Sequence, residues 1–183
     1  MDILQLIIIG TALAMDALGV TLSVGVNESV NKNQKIGYII SFGFFQFLLT
    51  LVGGIIGCYF NKNIIPISDT MGGIVIGIIG ILMIVDGLKE KEESILTKNS
   101  MIIILGISVS IDAIVVAFTL FNKLTSLLTL LVNCLLIGLI TLLICTIGFY
   151  LCKFIKKINF ISKYADFFGG TALIIFSFKM IFF

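Results

Sequence analysis

Apolar residues occur in six long stretches, at roughly residues 3–26, 36–60, 69–88, 100–121, 126–152 and 164–183, each near the twenty or so residues that a helix needs to cross a bilayer core. Between them lie short polar connections: NESVNKNQK, NKNIIPIS with the single proline, KEKEESILTKN, NKLTS and KKINFISK. The pattern predicts an all-α membrane protein of six transmembrane helices, because a backbone that crosses lipid must satisfy its own hydrogen bonds. Spans and connections consume nearly all 183 residues, which leaves no space for a soluble domain. The charged run Lys89 to Glu93 reads as a solvated connector between two halves.

Those halves repeat. GTALAMDALGVTLS, Gly10 to Ser23, aligns with GISVSIDAIVVAFT, Gly106 to Thr119, so that Gly10 meets Gly106, Asp16 meets Asp112 and Ala17 meets Ala113. In the second spans GFFQFLLTLVGGIIG from Gly43 aligns with GLITLLICTIGFYLC from Gly138, and in the third DTMGG from Asp69 aligns with DFFGG from Asp166. Three spans per copy is an odd number, which forces the second copy to cross the membrane upside down. The expected architecture is therefore two inverted-topology three-helix repeats, residues 1–92 and 93–183, forming one membrane domain.

Asp16 stands about 13 residues from the start of its span and about 10 from its end, and Asp112 about 12 and 9 in its own; at about 1.5 Å per residue both lie near mid-depth. An acid there costs roughly 2.5 to 3.5 kcal/mol on insertion scales, and a symmetric pair costs about twice that, so a role that repays the cost is expected. The inverted repeat should bring the two carboxylates face to face. Helical spacing groups Ala12, Asp16, Gly19 and Ser23 on one face and Ser108, Asp112, Val115 and Thr119 on another. The second span carries the stripe Gly43, Gln46, Thr50, Gly53 and Gly57, and the fifth carries Gly138, Thr141, Cys145, Gly148 and Cys152. Asp16, Asp112, Gln46, Ser23, Thr119 and Thr141 are thus the candidate metal-ligating residues, although hydroxyls and glycines on spanning helices also serve plain packing. Asp86 and Asp166 are candidate gate or access residues. Asp166, like Asp69, equally fits a helix N-cap, and Asp86 an interfacial position.

Composition narrows the chemistry. The chain is 59% hydrophobic and 12% charged, with a mean hydropathy of +1.22. It has no His, and Cys58, Cys134, Cys145 and Cys152 form no CxxC pair, so they read as small buried hydrophobes. Nitrogen- and sulfur-rich metal sites are poorly supplied, whereas oxygen donors suit Mn, Mg or Ca. Two carboxylates in low dielectric repel unless a cation or a proton lies between them, which would let proton return accompany cation exit. All twelve basic residues are Lys, which offers no arginine-lined nucleic-acid surface. Connections after spans one, three and five hold Lys32, Lys35, Lys89, Lys91, Lys98, Lys153, Lys156, Lys157 and Lys163, against Lys62 and Lys123 on the other side. That bias places both termini outside the cytoplasm.

AMDALGVTLSVGV, FGFFQFLLTLVGGIIG, MIVDGLKE, SIDAIVVAF and DFFGG resemble, in order and spacing over essentially the whole chain, the MntP family of manganese efflux pumps. The Asp-Ala pairs at Asp16 and Asp112 and the Phe-Gln pair at Phe45 and Gln46 carry the resemblance most specifically. The chain departs from the family at Thr50 and Gly54, where Pro and Trp are usual, at Asp86, where Glu is usual, and at the DTM stretch from Asp69, where Asp-His-Trp is usual. The resemblance implies a six-span protein of the bacterial plasma membrane that exports Mn(II).

The expected function is secondary transport of divalent cations, Mn(II) first among them, by alternating access around the aspartate pair. A divalent metal ion and the lipid bilayer are the expected partners, with no nucleic acid, no resident cofactor and a homodimer left open. The alternative is a sporulation membrane protein of the same domain family with no or different transport activity. No enzyme is expected: intramembrane aspartyl proteases resemble Gly-x-Gly-Asp and Tyr-Asp patterns, whereas ALAM and SVSI precede the acids here.

Overall fold

The computed structural model describes residues 3–26, 30–63, 69–86, 99–122, 126–152, 171–175, 177–178 and 181. The elements among them are helices: α1 (Ile3–Val26), α2 (Lys32–Asn63), α3 (Asp69–Asp86), α4 (Asn99–Ser108), α5 (Ile111–Leu120) and α6 (Leu127–Cys152), with further helical residues at 171–175, 177–178 and 181. Ile3–Gly25, Lys32–Asn63, Ser100–Leu120 and Leu127–Cys152 are long and apolar enough to cross a membrane, as expected of a multi-pass membrane protein. The start of the expected sixth span, Asp166 and the boundary between residues 92 and 93 lie outside the described residues. Asp86 is the last residue of α3, and its side chain also lies outside them.

α2 and α6 each bury one stripe and expose much of the rest, whereas α1 is buried or half-buried from Ile9 to Gly25. In α6 the buried residues Leu130, Cys134, Ile137, Gly138, Thr141, Cys145 and Gly148 recur at three- and four-residue steps, while Leu128, Leu135, Leu139, Leu143 and Ile147 face outward. Such a band of exposed Leu and Ile would drive aggregation in water, whereas hydrocarbon accepts it without cost, and helix association then depends on close packing of small residues. That packing is visible at α2. A Cβ on Gly53 would run into the Ile114 carbonyl, and one on Gly57 into the Phe118 carbonyl, so these glycines let α2 lie directly on the backbone of α5.

Contacts also set directions. Along α2 and the fourth span, Ser41 Oγ donates to the Ile102 carbonyl at 2.6 Å, Gly53 and Gly57 meet Ile114 and Phe118, and Cys58 Sγ donates to the Phe121 carbonyl at 2.9 Å. Both registers rise together, so the two run parallel. Gly10 meets Ile137 and Ile140, Gly148 meets Leu18 and Thr21, and Gly25 meets Cys152, which makes α1 and α6 parallel as well. Gly43 against Leu142, Gly138 against Phe47 and Gly54 against Leu130 run the opposite way, so α2 and α6 are antiparallel. Ala12, Ile76 and Leu173 form a small core that ties α1 and α3 to the C-terminal helical residues.

The fourth span departs from expectation. The hydrophobic pattern predicts one helix over 100–121, but α4 stops at Ser108 and α5 restarts at Ile111, with Val109 and Ser110 in a turn between them. Val109 N–H still reaches back four residues to the Leu105 carbonyl at 2.9 Å, whereas Ser110 N–H reaches only three, to the Ile107 carbonyl at 3.1 Å. The helical ladder thereby skips Gly106, tightens for one step and ends. The expected face Ser108, Asp112, Val115 and Thr119 is consequently not one face. Ser108 and Val115 are exposed and Thr119 is buried. The corresponding Leu13 and Ala14 lie in the uninterrupted α1.

Candidate functional site

Asp112 occupies the first turn of α5, immediately beyond the break. A helix N-terminus carries free N–H groups and a partial positive charge, which favours a carboxylate there even at mid-depth. Its Oδ1 accepts from the Ala113 N–H at 2.9 Å. Its Oδ2 is buried and has no hydrogen-bond partner. Asp16, on unbroken α1, is partly buried and lies close enough to Asp112 for the two charges to act on each other.

Gln46 is fully buried on α2, and neither its amide nitrogen nor its amide oxygen finds a partner. It sits two turns before Gly53 on the same stripe, and Gly53 meets Ile114; in the parallel register, two turns before Ile114 is Ile107, in the last turn of α4. Gln46 therefore stands beside the last turn of α4, just before the break. An uncompensated buried amide or carboxylate oxygen costs about 1–3 kcal/mol, and Gln46 and Asp112 Oδ2 each bear that cost, on either side of the break.

The remaining predicted hydroxyls are partly committed. Thr141 is fully buried and donates to the Ile137 carbonyl at 3.1 Å; between the Gly10 and Leu18 contacts of α6, it lies within about a turn of Asp16. Ser23 Oγ donates to the Gly19 carbonyl at 3.2 Å, and Thr119 Oγ1 donates to the Val115 and Val116 carbonyls at 3.2 and 2.8 Å. Ser23 and Thr119 each lie two turns beyond their aspartate, about 10 Å along the axis, too far to touch the same ion. The structure thus brings Asp16 near Asp112, sets Gln46 beside the last turn of α4 and Thr141 within about a turn of Asp16, and places Ser23 and Thr119 farther along the helices.

Sequence reasoning missed the break and Ser110. No Gly or Pro announces it, but a Ser with an acid two residues later is an ordinary helix-start pattern, and it stands in the middle of an apolar run. Among the described residues no group of three or more Cys, Asp or Glu side chains gathers, so a cation here would rest on two carboxylates and neutral oxygens.

Comparison with known proteins gives the same direction. The family model described as "Putative manganese efflux pump" matches residues 29–181. A Clostridium botulinum (strain Langeland) protein named "Putative manganese efflux pump MntP 1" is 48% identical over 183 residues, covering 100% of both chains. Proteins named "Putative manganese efflux pump MntP" are 46% identical in Clostridium novyi, over 99% of this chain and 98% of that one, and 30% identical in Methanobrevibacter smithii, over 98% and 97%. No solved structure matches the chain.

Proposed function

The chain belongs to the MntP family, whose model covers residues 29–181, and on that premise we propose that it exports Mn(II) from the cytoplasm through a mid-membrane site built on Asp16, Asp112 and Gln46. The observation that carries this reading is the set of buried polar atoms without partners, Asp112 Oδ2 and both amide atoms of Gln46, beside a second carboxylate. Two carboxylates neutralise a divalent ion, and the Gln46 oxygen supplies a neutral hard donor of the kind Mn(II) accepts. Thr141 contributes a hydroxyl oxygen whose lone pairs stay free after its hydrogen is donated to Ile137. Ser23 and Thr119 line the path between the site and the membrane surfaces, and Asp86 and Asp166 gate it.

Alternating access follows from two inverted repeats that exchange shapes around a fixed site. Support comes from the contact pattern. Span one packs parallel on span five, span four packs parallel on span two, and spans two and five pack antiparallel, so exchanging the two halves returns the same arrangement. The halves nonetheless differ in shape, one broken at Val109 and Ser110 and the other continuous at Leu13 and Ala14. When the ion leaves, repulsion between Asp16 and Asp112 is relieved by a proton, which couples export to proton return.

Expression in bacteria sensitive to manganese is expected to lower intracellular Mn and restore growth at high Mn(II), with Gln46→Ala retaining a reduced activity because both carboxylates remain. Element-resolved metal content checks it; wild-type expression that leaves Mn unchanged would point instead to the sporulation-type member of the family. Both termini lie outside the cytoplasm in this reading, from the lysine bias. A periplasm-active reporter fused at the C-terminus should be active and a cytoplasm-active one silent; the reverse pattern would invert the proposed topology.

A further inference from the structure

Ser110 is the other buried polar group at the break. It is fully buried, with φ −113° and ψ 3°, and it occupies the N-cap position of α5, yet its side chain makes no capping bond. Its Oγ has no partner at all. An N-cap serine ordinarily accepts from the second or third N–H of its helix. Here the third, that of Ala113, is taken by Asp112 Oδ1.

A serine inside an apolar helix has a second habit, which is to donate to the carbonyl four residues back. Thr11, Ser23, Thr50, Thr119, Thr141 and Thr146 all do so. The Thr21 hydroxyl, also unbonded, rests against the Cys145 thiol. For Ser110 that carbonyl belongs to Gly106, the one the tightened ladder skips. The Ser110 hydroxyl thus uses neither ordinary partner, capping no helix N–H and not reaching the Gly106 carbonyl. Ser110 Oγ and Asp112 Oδ2, both unpaired, lie two residues apart at the N-terminal end of α5, just beyond the level of Gln46.

We propose that Ser110 is a ligand of the transported cation, presented by the break in the fourth span. The inference rests on the export site proposed above and adds a hydroxyl oxygen to it. Its counterpart in the first repeat is Ala14, which has no donor, so the second repeat supplies this ligand alone. A straightened fourth span would return the hydroxyl to the Gly106 carbonyl, and the ligand would be withdrawn with the break.

The test is uptake of radiolabelled Mn(II) into everted membrane vesicles, with Cd(II) as competitor, for wild type, Asp16→Asn, Asp112→Asn, Ser110→Ala, Ser110→Thr and Ser110→Cys. Ser110→Ala should raise the Mn(II) concentration for half-maximal uptake about tenfold, as expected for losing one neutral oxygen contact, and Ser110→Thr should rescue it. Ser110→Cys offers a soft sulfur and should lower the Cd(II) needed for half-inhibition about tenfold relative to Mn(II), an effect that a packing role would not produce. If Asp112→Asn abolishes uptake while Ser110→Ala and Ser110→Cys match wild type for both metals, the Ser110 assignment fails and the export site stands. If Asp16→Asn and Asp112→Asn both transport as wild type, the site itself fails and Ser110 with it. Should Ser110→Ala not reach the membrane, the contrast between Ser110→Thr and Ser110→Cys decides by the same criteria.

Discussion

Asp112→Asn is expected to abolish Mn(II) export, lowering it at least about a hundredfold, while the protein still inserts. Asparagine has the size of aspartate, and its side-chain oxygen can still accept the Ala113 N–H that Oδ1 takes now, so the start of α5 keeps its cap. What disappears is the negative charge. A divalent ion moved into a low-dielectric interior must exchange its hydration for fixed compensating charge, and a single remaining carboxylate leaves one positive charge without compensation. Asp16→Asn should have the same effect from the other side, because either carboxylate alone is insufficient. Vesicle uptake measured at matched protein levels checks this, and full activity in either variant would remove that carboxylate from the site. The two differ in surroundings: Asp112 has a helix terminus behind it, and Asp16 sits in the middle of continuous α1.

Gly53→Leu is expected to prevent correct assembly, with a cost at or beyond the upper end of overpacking, about 3 kcal/mol. Its Cβ would meet the Ile114 carbonyl, which is backbone in the helix that carries Asp112 and cannot rotate away. Gly57→Leu should act likewise through Phe118. A useful contrast is Gly37→Ala, whose new methyl would meet the tip of the Ile102 side chain at 3.2 Å, a group that turns aside, so its stability should stay near wild type. Thermal unfolding of detergent-purified variants, read alongside size-exclusion profiles, separates the outcomes. Wild-type melting of Gly53→Leu would mean that α2 does not press on α5 at this point. Because Gln46 and Gly53 share a stripe, the same contact that fixes α5 also fixes how far Gln46 stands from the break.

Much was legible because lipid simplifies the code. A spanning helix must be apolar for about twenty residues whatever it packs against, so α1 and α6 follow the expected limits closely, and α2 overshoots its own at both polar ends, from Lys32 to Asn63. Asp16 and Asp112 stood out for the same reason, since charge at mid-depth is costly enough to demand a purpose. Gln46, singled out through its stripe, is fully buried. The break at Val109 and Ser110 was not, because Val-Ser can continue a helix, and a one-step change in hydrogen-bond register leaves no trace in hydropathy.

The sequence by itself therefore determined the number and length of the apolar segments, the likeness of its two halves, and which acids fall in the middle of apolar segments. Those properties depend on transfer energies of individual residues and add along the chain. Only the tertiary structure decided that the fourth span breaks, that Asp112 rather than Ser110 takes the Ala113 N–H, and that Gln46 is buried without a partner beside the last turn of α4. These outcomes depend on competition for a few backbone groups where α2 presses against α5, and that competition exists only once the helices are packed.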